Sequence, residues 1–302
     1  MKILLLGRDG QVGWELQRSL SVLGELLALG HDTRFNPDQL CGDLSDLTAL
    51  TETVRRVRPD VIVNAAAHTA VDKAASEPDL ARTLNARAPG VLAAEAQKLG
   101  AWLVHFSTDY VFDGSGHQPW RESDATGPLS VYGQTKLEGD RLVAACGKHL
   151  IFRTSWVYAA RGGNFAKTIL RLAGERDVLT VIDDQFGAPT SAELLADVTA
   201  HAIVKALHQP ELAGLYHCVA GGETSWHGYA CYVLAQAQAL GWPLKAGLEQ
   251  VMPTTTVSYP TPAQRPLNSR LDTTRLQAAF GLSLPPWQQG VARMLTEIIR
   301  KS

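Results

Sequence analysis

The chain of 302 residues is short of the features that mark several protein classes. Its cysteines, Cys41, Cys146, Cys218 and Cys231, are widely scattered and form no C-x-x-C pair, which disfavours a disulfide framework and fits reduced thiols in a cytoplasmic protein. The nine histidines show no H-E-x-x-H or comparable spacing, so a catalytic zinc is not expected. There is no dense run of lysine and arginine, and the formal net charge is −2, so neither nucleic acid nor an anionic membrane surface is an expected partner. Nowhere do about 18 apolar residues follow one another, which disfavours a membrane span. Ile3 to Leu6 is too short for a signal-peptide core and runs straight into glycines. No internal repeat and no low-complexity tract is present.

What the chain does have is alternation. Lys2–Leu6, Leu26–Leu29, Val61–Asn64, Trp102–Ser107 and Leu150–Thr154 read as short buried strands. Between them, Val12–Leu23, Asp46–Val57, Asp79–Leu99 and Ser130–Ala145 read as helices. Apolar strands separated by amphipathic helices predict an α/β fold, a Rossmann-type doubly wound parallel sheet covered on both faces. A helix over Ser191–Leu207 and a strand over Leu215–Val219 complete the sheet, and from Gly221 onward glycine and proline crowd the sequence. The expected division is a dinucleotide-binding domain of residues 1–156 and 190–220, with a smaller, loop-rich substrate lobe of residues 157–189 and 221–302.

Gly7, Gly10 and Gly13 follow the first strand and open the first helix. Glycines there allow a tight turn, let backbone amides approach a pyrophosphate, and point the helix N-terminus at the phosphates. Asp43, in Cys41-Gly42-Asp43-Leu44, is placed to hold an adenine amino group, and Ala65, Ala66 and Ala67 end the third strand with small side chains that let the cofactor come close. The end of the second strand normally carries an acid for the ribose 2′-hydroxyl. Here that position is Gly30, with Asp32 slightly beyond. Without the carboxylate a 2′-phosphate is not repelled, and His31 or Arg34 could pair with it, so NADPH is the expectation, with NADH as the other candidate.

Tyr132 and Lys136 stand four apart, hence on one face of their helix. A reductase needs a proton for the alkoxide that hydride addition creates, and a neighbouring ammonium stabilises the phenolate left behind. Thr108, at the end of the fourth strand, is placed to donate its hydroxyl to a substrate carbonyl oxygen.

These features resemble the extended short-chain dehydrogenase/reductase family. The resemblance rests on Gly7 to Leu16, Asn64 to Asp72, Ser107 to Gly114, Val131 to Lys136, Arg153 to Tyr158, Asp184 to Thr190 and Arg265 to Leu271, and so covers nearly the whole chain. It implies reduction by NAD(P)H of a dTDP-linked 4-keto sugar, dTDP-6-deoxy-L-lyxo-4-hexulose, to dTDP-L-rhamnose. It implies a Thr108–Tyr132–Lys136 triad; Gln11, Val12, Asp43, Leu44 and Ala67, His68 and Thr69 along the cofactor; and Thr108, Asp109 and Trp156 at the deoxysugar. It further implies that Gln185, Phe186 and Thr190, with Arg265 and Arg270, hold the nucleotide diphosphate. Some members are Mg²⁺-dependent homodimers, and the matching acids are Glu15, Glu193 and Glu297. Asp9 stands in the phosphate turn where a neutral residue is common and is expected to face solvent. The alternatives are another nucleotide-sugar enzyme of the family, an epimerase or a dehydratase, and a non-catalytic regulatory subunit like that of methionine adenosyltransferase.

Overall fold

The computed structural model describes residues 1–32 and 39–300. Six strands carry the central sheet: β1 Lys2–Leu6, β2 Glu25–Leu29, β3 Val61–Asn64, β4 Trp102–Thr108, β5 His149–Thr154 and β6 Gly214–His217. All neighbours are parallel, in the order β6-β5-β4-β3-β1-β2. Side chains alternate between the faces. Ile3, Leu5, Val61, Val63, Val104 and Phe152 point to one core and Leu4, Leu6, Ile62, Leu103 and Ile151 to the other. The sheet is therefore buried on both sides, which is why its strands read as unbroken apolar runs rather than alternating ones.

Helices α1 Gln11–Leu20, α2 Leu47–Val57, α3 Ala88–Leu99, α4 Val131–Ala144 and α5 Ala192–His208 cover the two faces. The expected helix over 79–99 is interrupted: a short helix at Pro78–Arg82 passes through a wide π turn at Thr83–Arg87 before α3. Pro89 has no N–H for the carbonyl of Asn85, four residues back, so the ladder widens there. The buried Asn85 side chain is anchored meanwhile to the backbone of His68 and the Thr135 hydroxyl.

The remaining chain builds a second core. The helix Phe165–Glu175, α6 Trp226–Ala239 and the helix Trp287–Arg300 pack together with the strand pair Leu179–Ile182 and Val251–Thr254. Leu276 and Phe280, late in the chain, instead join the core of the sheet. The chain runs from β1 outward to β2 and then back past β1 to β3. Ligands of such sheets bind beyond the strand C-termini where this reversal opens a crevice, and there a cavity of about 850 Å³ is found.

Candidate active site

The first wall of the cavity is backbone. Gly7 has φ +85°, and a Cβ on it would fall 2.6 Å from the amide nitrogen of Ala66; one on Gly13 would fall 1.9 Å from the carbonyl oxygen of Gly7. Only glycine lets β1, β3 and the first turn of α1 approach this closely. Gly10 precedes α1 with no side-chain cap, so the helix presents unpaired N–H groups to the cavity, an arrangement that favours phosphate. Gly7, Gly10, Gln11, Val12, Gly30, His31, Asp43, Leu44, Ala65, Ala66, Ala67 and Thr69 all line it. A dinucleotide fits this cradle. Gly13 lies behind it as a packing residue. His68 is buried away from the cavity, its backbone N–H on Asn85 and its ring 3.5 Å from Glu77. Arg34 lies outside the described residues.

The second wall carries the chemistry. Thr108, at the end of β4, receives the N–H of Tyr110 and donates to Asp109 Oδ1, each at 3.2 Å. Ser130 caps α4 by accepting from Gly133 N–H, and a Cβ on Gly133 would fall 2.2 Å from the carbonyl oxygen of Tyr110. This close contact sets Tyr132 edge-on to Tyr110, with its hydroxyl against Thr108. Burial of the phenol pushes its pKa up to about 12, and the Thr108 contact opposes the rise. One turn on, buried Lys136 donates to the carbonyl oxygen of Phe106 at 2.5 Å and lies 3.3 Å from His105 Nε2. Burial brings its pKa down to about 8, against the attraction of Asp140. Lys136 is thus a cation that can lose its charge near neutrality.

Three further participants, His105, Asp140 and Arg153, carry no recognisable signal of their roles in the sequence. His105 is buried, and its Nδ1 lies 3.3 Å from Asn64 Nδ2. Burial, then the charge of Lys136, keeps it well below the usual imidazole range. Asp140 and Arg153 form a buried pair at 3.1 Å beneath α4. Asp109 is 1% exposed, and burial lifts its pKa to about 7 against hydrogen bonds from Ser269 and Thr108. A carboxyl group so placed holds a proton at neutral pH far more readily than an exposed one.

The third wall is aromatic. Trp156 has φ +50° and stacks on Trp226, with centroids 3.7 Å apart and planes at 14°. A Cβ on Gly187 would fall 2.8 Å from the Trp156 ring, so glycine is required beside it. Both tryptophans line the cavity. Gln185 stands behind them, accepting from Trp226 Nε1 at 3.1 Å and donating to Thr256 at 3.0 Å. Thr190 is fully buried and spends its hydroxyl on the backbone of Ala188 and Ala220. Arg270 stacks on Phe186 and pairs with Glu223 at 2.6 Å, while Arg265 makes a two-pronged contact with Asp72 at 2.8 and 3.0 Å. Of the residues expected at the nucleotide sugar, only Thr108, Asp109 and Trp156 face the cavity.

The three glutamates expected at a metal occupy one region of the surface. Burial raises the pKa of Glu15, helped by Glu193 and Glu297 and opposed by Arg18. Glu15 lies 3.7 Å from Arg18, and Glu193 lies 3.1 Å from Arg293. Among the described residues of one chain, no group of three or more His, Cys, Asp or Glu side chains is arranged to hold a metal ion. No helix among them is long and apolar enough to cross a membrane.

Comparison with known proteins agrees with this geometry. The family model described as the RmlD substrate binding domain matches residues 1–300. The chain is 59% identical to a dTDP-4-dehydrorhamnose reductase of Shigella flexneri, over 99% of this chain and 98% of the relative. It is 60% identical to the enzyme of that name from Salmonella typhimurium, with the same coverage. Among solved structures, a dTDP-4-dehydrorhamnose reductase from Clostridium acetobutylicum superposes with a TM-score of 0.87 at 35% identity, over 99% of both chains. One from Bacillus anthracis, in complex with NADP, does so at 0.85 and 31% identity, covering 98% of this chain and 99% of that one. A UDP-glucose 4-epimerase from Thermus thermophilus, at 19% identity, shares the fold. The chain belongs to the RmlD family, that of the dTDP-4-dehydrorhamnose reductases.

Proposed function

We propose that this chain uses NADH or NADPH to reduce the 4-keto group of dTDP-6-deoxy-L-lyxo-4-hexulose, forming dTDP-L-rhamnose. The observation that carries the reading is the meeting, around one cavity, of the glycine cradle with Thr108, Tyr132 and Lys136 at the strand C-termini. The nicotinamide, when bound, supplies the hydride. The protein supplies the rest. Thr108 donates to the keto oxygen and polarises the carbonyl. Tyr132 hands its phenolic proton to the oxygen that becomes O4, and the charge of Lys136 stabilises the phenolate left behind. Asp109, whose burial lifts its pKa to about 7, offers a second donor at the sugar in its protonated form, and the stacked Trp156 and Trp226 close the wall against its apolar face.

In this reading Gly7, Gly10, Gln11, Val12, Asp43, Leu44, Ala65, Ala66, Ala67 and Thr69 hold the dinucleotide. Residues 1–156 and 190–220 form the cofactor domain, and residues 157–189 and 221–302 the sugar lobe. Arg265 and Arg270 meet the diphosphate by exchanging Asp72 and Glu223 for it. The protein works in the cytoplasm as a homodimer, with Mg²⁺ shared between copies at Glu15, Glu193 and Glu297. A dehydratase calls for a further acid after Asp109; position 110 is Tyr110, which favours the simple reduction. The test is oxidation of NADH and NADPH in the presence of the keto sugar, with the product identified by its sugar NMR spectrum. Tight dinucleotide binding without turnover would replace this reading with the regulatory-subunit alternative.

A further inference from the structure

Tyr132, Lys136 and Asp140 stand at four-residue intervals along one face of α4, so the lysine has the phenol one turn before it and a carboxyl group one turn after it. Lys136 and Asp140 are both buried. The direct partners of the ammonium are uncharged: the carbonyl oxygen of Phe106 and His105, which burial and Lys136 itself keep neutral. Burying a cation is costly unless an opposite charge offsets it. Among the described residues the carboxylate that attracts Lys136 is that of Asp140.

Asp140 is held as an anion from β5. Burial raises its pKa, and Arg153, Ser107 and Lys136 oppose the rise. Arg153 brings its Nε to 3.1 Å from Asp140 Oδ2, and its guanidinium lies 5.2 Å from the centre of the Phe112 ring. His217, beside Arg153 in the β5–β6 register, is uncharged, its pKa brought down to about 3 by burial and then by Arg153. Asp109 bears on Tyr132 rather than on the lysine. The segments on the other sides of α4 keep their charges paired or in solvent: Lys73 with Glu77, Arg82 with Glu138, Asp72 with Arg265 and Glu95 with Arg55 and Lys98, while Asp79 and Arg87 are exposed.

We propose that Asp140 is a positioning residue that acts through Lys136: its carboxylate, fixed by Arg153, holds the lysine in the charged form that stabilises the Tyr132 phenolate. A neutral lysine in the same place still reaches hydroxyl groups but offers an anion nothing. The charge of Lys136 is present at low pH and is lost as pH rises through its pKa, so Asp140 sets the alkaline limit of turnover. Without the carboxylate that limit comes at lower pH.

The inference rests on the reductase reading for its use, but the charge of the lysine is measured without turnover. The ε-carbon of Lys136 is titrated by NMR in cofactor-free protein carrying ¹³C-lysine, and its signal is assigned by its loss in Lys136→Met. The wild-type midpoint is expected near 8; one well below neutrality overturns the proposal before any further variant is made. Asp140→Asn is expected to move the midpoint down by about one pH unit or more, and the alkaline limb of kcat for the keto sugar with it. Because that change leaves Arg153 buried and unpaired, Asp140→Asn with Arg153→Gln is made as well; it removes both charges, and the same downward movement is expected. An ion pair that serves the fold alone would lower the unfolding temperature and leave the titration where it was. An unmoved midpoint in the single variant, or in the double where the single does not fold, overturns the proposal and leaves the reductase reading intact. A midpoint that moves in a protein whose wild type turns over no keto sugar upholds the role of Asp140 and overturns the reductase reading.

Discussion

At the glycine-turn end of the cavity the wall is made of main chain, and at the tryptophan end it is made of side chains propped by other side chains. The first depends on what is absent: no Cβ at Gly7 or Gly13, and small groups at Ala65 to Ala67. The second depends on a series of contacts from Thr256 through Gln185 to Trp226 and Trp156, drawn from segments up to about 100 residues apart. A main-chain wall is specified locally and tolerates almost no added atom. A side-chain wall is specified by tertiary packing and can be pared back by degrees. Tyr132 stands between the two and serves both.

The largest expected effect is therefore at the junction. Tyr132→Phe keeps the ring and its packing and removes the proton donor, so kcat should fall by about 10² to 10⁴ with dinucleotide binding nearly unchanged. Near wild-type turnover would sink the assignment of the acid. Next comes the main-chain wall. Gly13→Ala sets a Cβ against the carbonyl of Gly7, and should cost about 1–3 kcal/mol of stability as well as weaken dinucleotide binding. Thermal unfolding and a binding titration measure the two losses, and an alanine accepted at no cost to either would show that this wall is less rigid than described. At the side-chain wall Trp226→Ala should raise KM for the keto sugar by about tenfold and leave the dinucleotide constant alone. Equal damage to both would mean that the two ends are not separable. The smallest effect is expected farthest away: thorough chelation should raise the monomer–dimer midpoint by about threefold, and Glu193→Gln should mimic it. An unmoved midpoint leaves Glu15 and Glu193 as helix acids paired with Arg18 and Arg293.

The same contrast explains what could be read from the sequence. Strands Lys2–Leu6 and Val61–Asn64 lie where their apolar runs placed them, and the others differ by one or two residues at an end, because burial on both faces leaves a strong local signature. The glycine turn and the Tyr132/Lys136 spacing were likewise local patterns. The predicted first helix ran on to Leu23, but it stops at Leu20 so that the chain can turn and set Glu25 beside Lys2. The π turn at Thr83–Arg87 escaped notice because its cause is split between Pro89 and the anchoring of Asn85. Asp140, Arg153 and Trp226 look ordinary in the sequence and acquire their roles from what lies across from them.

Asn64 has one consequence for the chemistry next door. Its Oδ1 is taken by the N–H of Ala66 at 3.2 Å, so its amide nitrogen is the atom turned to His105 Nδ1. That ring nitrogen must accept, and in the neutral ring the single proton then sits on Nε2, the nitrogen 3.3 Å from Lys136. A proton there leaves Lys136 to direct its hydrogens elsewhere, as toward the carbonyl oxygen of Phe106. An amide at the edge of the dinucleotide cradle thereby selects the tautomer of a buried imidazole beside the catalytic lysine.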